Sequence, residues 1–391
     1  MSKPTLPRIA ILGAGPIGLE AALYAKSLGL PVTVYDRGQL GGHVERWGFV
    51  RMFTPFGLNV TELGRAALAR ENPPRTLPAD ADLLTGREFR EAYLLPLAAS
   101  STLKDCVQPD TRVLAVGRAG WRKSDPAPDP RKPLPPFRLL VRTAQGQERF
   151  DAADVVLDCT GTLGLPNWAG DGGIPAAGEV SARQHMSYWV EDVLGAKRAA
   201  YANKTVAVIG GGYSAATVVC DLAALAESEQ STWVVWLTHA ARGAAPLPRV
   251  PNDPLKERDR LATKANHLAA RCDANLEYHP QAQVDELVSH GPDQGFRLAA
   301  RVAGKPMTWE VERVIAAVGY RPDLSVCVEL RVGEPAGRIE TDEPGYYVLG
   351  AKSRGRDSNF LLADGHQQVK RAFATILGKP GLDQYASKRA G

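Results

Sequence analysis

The hydrophobic pattern of this chain states one arrangement twice. Ile9 to Leu12 is a short unbroken apolar run of the kind that forms a central parallel strand buried on both faces. It passes directly into Gly13-Ala14-Gly15-Pro16-Ile17-Gly18. Beyond that turn, Ile17, Ala21, Ala22, Ala25 and Leu28 recur at helical spacing, with Gly29 as the stop. A second apolar strand, Pro31 to Tyr35, ends at Asp36-Arg37. The same order returns farther along: strand Thr205 to Ile209, turn Gly210-Gly211-Gly212-Tyr213-Ser214-Ala215, and a helix over 213–227 with Ala216, Val219, Leu222, Ala223 and Leu225. The strand that follows, Trp233 to Leu237, ends in Thr238-His239-Ala240-Ala241-Arg242.

Each strand, glycine turn and helix makes a candidate dinucleotide site. Gly13 makes the turn, Gly15 lets the backbone approach a pyrophosphate, Pro16 starts the helix, and Gly18 lets that helix pack on its strand. In the second copy Gly210 and Gly212 take the first two roles, Ser214 lies in the turn, and Ala215 holds the third position, a replacement the pattern permits. Asp36 is placed to accept both ribose hydroxyls of an adenosine. The second copy has no acid there. His239 and Arg242 favour a 2′-phosphate, hence NADPH over NADH.

Between the two sites the pattern changes. Residues 43–104 read as mainly helical, with Thr85-Gly86-Arg87-Glu88 as a capping box before a core stripe of Phe89, Tyr93, Leu94 and Leu97. Arg112 to Val116, Phe137 to Arg142 and Gln147 to Phe150 read as short strands. The proline-rich Ala119 to Pro136 reads as a surface excursion. Asp253-Pro254 is expected to start a helix running to Cys272, after an irregular stretch from Gly243 to Asn252.

At 391 residues the chain is long enough for two globular units, and its glycines and prolines are too dispersed for a low-complexity tract. A formal charge of +4, spread among nearly balanced acids and bases, argues against nucleic acid as a partner. No apolar stretch approaches the ~20 residues that span a bilayer, so no membrane association is expected. The five cysteines form no CxxC pair and no metal-ligand spacing, which points to a reduced cytoplasmic setting, buried thiols and no metal.

Two such glycine turns, the first at the N-terminus, resemble the two-dinucleotide-binding-domain flavoproteins, which include thioredoxin reductases and flavin-containing monooxygenases. The resemblance covers nearly the whole chain. Gly41-Gly42 with Trp47 is similar to the family's turn after the first ribose acid, where backbone passes close to the flavin. Val155 to Thr162, containing Thr160 and Gly161, resembles the family's first link strand, and Val314 to Asp323 its return strand. The resemblance implies an α/β fold with two Rossmann-like domains. A discontinuous FAD domain, residues 1–165 and 316–391, would enclose an inserted NAD(P) domain, 166–315. It implies FAD and NADPH or NADH as cofactors, a small-molecule substrate, and a homodimer as the candidate assembly. A helix beginning near Gly365 would direct its N-terminus at the flavin, making Gly365, His366 and Gln367 candidate tuning residues.

The chain departs from the family in three places. Where the family has Gly-Asp, with the Asp on the ribityl chain, it reads Gly350-Ala351-Lys352-Ser353. The redox-active dithiol of thioredoxin reductases is missing. Of the FxGxxxHxxxW-like stretch of N-hydroxylating monooxygenases, only His185 and Trp189 are present. No general acid or base is assigned. The reading favours a monooxygenase-like oxidoreductase, with a non-dithiol NAD(P)H reductase as the alternative and a non-catalytic flavoprotein sensor as a third reading.

Overall fold

A computed structural model describes residues 6–126, 134–241, 243–271 and 275–386. The chain divides into two compact units, one made of the residues up to Leu165 and from Arg321 onward, the other of Pro166–Tyr320.

In the first unit every side chain of β1 (Ile9–Leu12) is buried, as a strand covered on both faces requires. Helix α1 (Pro16–Ser27) opens on a proline, and Gly29 follows it in the left-handed region at φ 70°. β2 (Val32–Tyr35) runs parallel to β1 with Val32 opposite Ile9. Then come the short α2 (Gly42–Arg46) and α3 (Glu62–Ala69), which Thr61 caps by accepting from Gly64 N at 3.2 Å. The expected capping box forms in full: Thr85 Oγ1 accepts from Glu88 N at 3.2 Å, and Glu88 Oε2 accepts from Thr85 N at 2.7 Å. It starts a helical run from Gly86 to Ala99 with a π-helical turn at Arg90–Leu94, and Phe89, Tyr93, Leu94 and Leu97 all enter the core.

The short β3 (Val107–Gln108) adds beside β2. An antiparallel meander follows: β4 (Arg112–Arg118), β5 (Phe137–Arg142) and β6 (Glu148–Ala153). β6 extends past the expected Phe150 because Ala153 still pairs with Phe137. Part of the proline-rich excursion, residues 127–133, lies outside the described residues. β7 (Val155–Asp158) returns alongside β1, on the side away from β2.

The second unit repeats the plan with β8 (Thr205–Ile209), α4 (Tyr213–Ser228), β9 (Trp233–Leu237), α5 (Lys256–Arg271) and β10 (Leu276–His279). Helix α5 begins after the expected Asp253-Pro254. The Asp253 carboxylate accepts from Leu255 N at 2.8 Å and is held by Arg258 through two bonds of 2.7 Å, which turns the chain before the helix starts. An antiparallel meander, β11 (Ala282–Ser289), β12 (Phe296–Val302) and β13 (Lys305–Val311), buries alternate residues Phe296, Leu298 and Ala300 of its central strand. β14 (Arg313–Ala316) completes a four-stranded sheet of order β10-β9-β8-β14. Its pairing with β8, and the bridge of Pro166 with Tyr320, keep residues through Tyr320 in this unit, beyond the 315/316 boundary suggested by the sequence.

Back in the first unit, β15 (Tyr346–Val348) lies against β7 and completes a five-stranded sheet of order β15-β7-β1-β2-β3. Helix α6 (Leu362–Ile376) follows and packs Val369, Ala372 and Phe373 into the same core as α1. Both units are thus α/β, with parallel Rossmann-like sheets.

Candidate functional site

The glycine turn after β1 is shaped by three different demands. Gly13 sits at φ 97°, and a Cβ there would come within 2.8 Å of the Cys159 carbonyl oxygen. A Cβ on Gly18 would lie 1.8 Å from the Gly13 oxygen, so helix and turn touch as backbone. At Gly15 a Cβ would meet nothing within 4 Å, which leaves open space over the start of α1. That helix of 12 residues has no side-chain cap and no acid in its first turn, so its free N–H groups can donate to a bound anion. Asp36, at the end of β2, accepts from Ala14 N at 2.7 Å and from Gly38 N at 3.1 Å. Burial pushes its carboxyl above the usual range against the pull of these two donors.

The C-terminal ends of β1 and β7 border the crevice where open α/β sheets bind ligands. Gly161, at φ 70°, follows β7 there, and a Cβ on it would lie 3.5 Å from His43 Nδ1. His43 was not singled out in the sequence, yet its Nε2 is 3.1 Å from Arg37 Nη2. Burial, together with the charges of Arg37 and Arg46, pulls its pKa down to about 4. Gly42 is exposed beside it. Trp47 packs instead over Gly86, where a Cβ would come within 2.5 Å of the indole.

Next to Ala351, Lys352 turns inward. It is fully buried, and its Nζ donates to Asp158 Oδ2 at 2.6 Å and to Thr160 Oγ1 at 3.0 Å. Thr160 donates to Asp158 Oδ1 from its hydroxyl at 2.6 Å and from its backbone N–H at 3.1 Å, and Tyr346 OH donates to Oδ2 at 2.9 Å. The network locks the ends of β7 and β15 together.

Helix α6 begins at Leu362, three residues before Gly365, and Gly365 N already bonds the Leu361 carbonyl at 3.4 Å, so Gly365 and His366 lie beyond the free N–H groups of its first residues. Gly365 instead allows close packing, since a Cβ there would be 2.2 Å from Ile17 Cδ1. His366 is buried, which lowers its pKa to about 4. Gln367 is exposed. Its neighbour Gln368 makes the contact, accepting from Gly350 N at 2.7 Å and donating to Ser353 Oγ at 2.8 Å.

In the second unit, Gly210 adopts φ 137°, and a Cβ there would be 2.2 Å from the Ala317 oxygen. Trp236 Nε1 donates to the Gly210 carbonyl at 2.8 Å and fixes the turn. A Cβ on Gly212 would meet nothing within 4 Å, and α4 starts beyond it without a side-chain cap or a first-turn acid. Ser214 lies in the first turn of α4, and Ala215 is buried against the core. At the ends of β9 and β10 a groove of about 500 Å³ is lined by His239, Gln281, Gln283, Ala303 and Gly304. Gln283 of this lining donates from Nε2 to the Asp171 carboxylate at 3.3 Å. Arg242 lies outside the described residues.

His185 Nδ1 is hydrogen-bonded to Ser289 Oγ on β11 at 2.8 Å, and Trp189 packs on Tyr320 with ring centroids 5.4 Å apart. Cys106, Cys159, Cys220 and Cys327 are all buried and form no disulfide, while Cys272 lies outside the described residues.

No family model matches the chain, and no curated protein matches it in sequence. Solved structures do. The bacillithiol disulfide reductase Bdr (YpdA) from Bacillus cereus is 17% identical with a TM-score of 0.71, over 96% of this chain and 100% of that one. The thioredoxin reductase of T. acidophilum is 18% identical with a TM-score of 0.60, over 96% and 98%. A flavin-containing monooxygenase from Stenotrophomonas maltophilia is 20% identical with a TM-score of 0.62, over 96% and 99%. The chain therefore has the fold of thioredoxin-reductase-like and flavin-monooxygenase-like two-domain flavoproteins.

Proposed function

We propose that this protein is an FAD-dependent NAD(P)H oxidoreductase that passes electrons from the flavin directly to a small-molecule acceptor. The carrying observation is the pair of open glycine turns, each at the carboxyl edge of a parallel sheet and each beneath an uncapped helix N-terminus. The first fits FAD: space over Gly15 for the pyrophosphate, free N–H groups on α1, and Asp36 at the ribose position. Ala351 cannot supply the family's ribityl carboxylate. The Lys352 to Asp158 pair supports the Thr160-Gly161 edge from below in its place. When bound, FAD supplies the two-electron chemistry, taking hydride from NAD(P)H and passing the electrons on.

The protein's own groups bind and orient. The start of α1 attracts the flavin nucleotide's phosphates, and Gly212 with the start of α4 does the same for the nicotinamide nucleotide. His239, which lines the groove at the ends of β9 and β10, favours the 2′-phosphate of NADPH. Buried thiols offer no dithiol relay among the described residues, which favours direct transfer. Oxygen insertion is the second reading, motivated by the monooxygenases of like fold. The His185 half-motif gives it little support, because that ring is engaged with Ser289.

The test is the purified protein's flavin content and its anaerobic bleaching by NADPH. A yellow protein that NADPH bleaches supports the assignment. A colourless protein that takes up no added FAD overturns it.

A further inference from the structure

We infer that His43 binds the dinucleotide of the first site as a neutral hydrogen-bond donor whose tautomer Arg37 dictates. The inference rests on the assignment of FAD to that site.

A guanidinium has donors and no acceptor. The 3.1 Å contact between Arg37 Nη2 and His43 Nε2 therefore requires a lone pair on Nε2, and the proton of the neutral ring must be on Nδ1. The ring is held neutral at ordinary pH by burial and by two nearby arginines. Nδ1 has no hydrogen-bond partner among the described residues, and it faces Gly161, whose missing side chain keeps the space beside it open. Gly161 follows β7, which borders β1 and its phosphate turn, so the free N–H stands at the crevice the nucleotide would occupy. Arg37 contributes the positive charge, and His43 a directed neutral donor. Oxygen atoms of the nucleotide are the acceptors this chemistry selects.

The experiment uses the full chain, freed of cofactor, with FAD as the titrant. His43→Leu should weaken FAD binding about ten-fold, the effect of one lost hydrogen bond. His43→Asn, whose side-chain amide can donate from nearly the Nδ1 position, should stay within a few-fold of the parent. Melting temperatures of both variants check that the fold is kept. Independently, nitrogen NMR of isotope-labelled histidine in the FAD-free chain should show His43 protonated on Nδ1, and Arg37→Met should shift the population toward Nε2. A ring protonated on Nε2 in the parent, or His43→Leu binding FAD as tightly as the parent, overturns this inference and leaves the FAD assignment standing. A parent chain that binds no FAD overturns both.

Discussion

Lys352 Nζ lies 2.6 Å from Asp158 Oδ2, with neither side chain reaching solvent. Removing one member of a buried pair strands the other charge in a medium that cannot solvate it. Lys352→Met should therefore lower stability by about 3–5 kcal/mol, measured by denaturant unfolding. Adding Asp158→Asn should recover most of that loss, because no buried charge then remains. If the double variant is as unstable as the single, the packing of the lysine stem matters more than its charge.

The glycines of the second turn are expected to separate folding from binding. Gly210→Ala places a methyl 2.2 Å from the Ala317 oxygen and should not give a folded second unit. Gly212→Val meets no protein atom within 4 Å at its Cβ, so the melting temperature should hold while NADPH reduction of the flavin slows. A Gly212→Val protein reduced at the parent rate would remove the second turn from coenzyme binding.

How much of this was legible in the sequence depended on whether a feature is local. The two turns, Asp36 and the Thr85 capping box are local patterns, and each formed where the residues indicated. The start of α6 at Leu362 is marked locally only by Asp364, whose carboxylate accepts from Leu361 N at 3.1 Å, while the bond from Gly350 N to Gln368 joins residues distant in sequence. The departure at Ala351 could be seen, but the partner of the next residue, Lys352, is Asp158, brought to it only by the pairing of β7 with β15. His43 carried no signal, because its meaning depends on Arg37 and Gly161 meeting across the sheet edge. The β11-β12-β13 meander was missed for the same reason, since alternation such as that of Phe296, Leu298 and Ala300 does not say which strand it will face.

Glu20, on α1, is buried and accepts from Thr61 Oγ1 at 3.0 and 3.1 Å. Burial raises its pKa to about 7, with Thr61 opposing the rise. The folded state thus holds a proton that the unfolded chain releases near pH 4.5. Stability from this group is complete below that pH and is lost as the pH rises through about 7. Glu20→Gln keeps the site neutral throughout. Its melting temperature should gain on the parent's between pH 5 and pH 8, corresponding to on the order of 3 kcal/mol. A constant difference across that range would show that Glu20 does not carry the proton.

Coenzyme preference should depend on His239. From the groove that His239 lines, a charge-assisted bond to the 2′-phosphate is worth about 1.5–3 kcal/mol, or roughly ten-fold or more in affinity. His239→Ala should raise KM for NADPH by about that factor and leave KM for NADH nearly unchanged. Steady-state kinetics with both coenzymes decide the matter. Equal rises would mean that the histidine shapes the groove without reading the phosphate.

The fate of the electrons is the prediction on which the proposed reaction stands. In the proposed assignment electrons enter through a nicotinamide site in the second unit and a flavin site in the first. The structure offers no exposed thiol among the described residues to carry them onward, and it places His185 in a bond with Ser289. Direct transfer to an acceptor then requires that the protein, reduced anaerobically with one equivalent of NADPH, be reoxidised quickly by a small quinone or disulfide with no oxygen present. In air without such an acceptor, NADPH consumption should be slow and yield hydrogen peroxide, not an oxygenated product. The opposite pattern would establish the oxygen-inserting reading: inert quinones and disulfides, with oxygen consumed stoichiometrically as an amine, thioether or ketone gains one oxygen atom. Mass spectrometry of the product in heavy-isotope oxygen separates these outcomes, because only insertion places an atom from O₂ in the substrate.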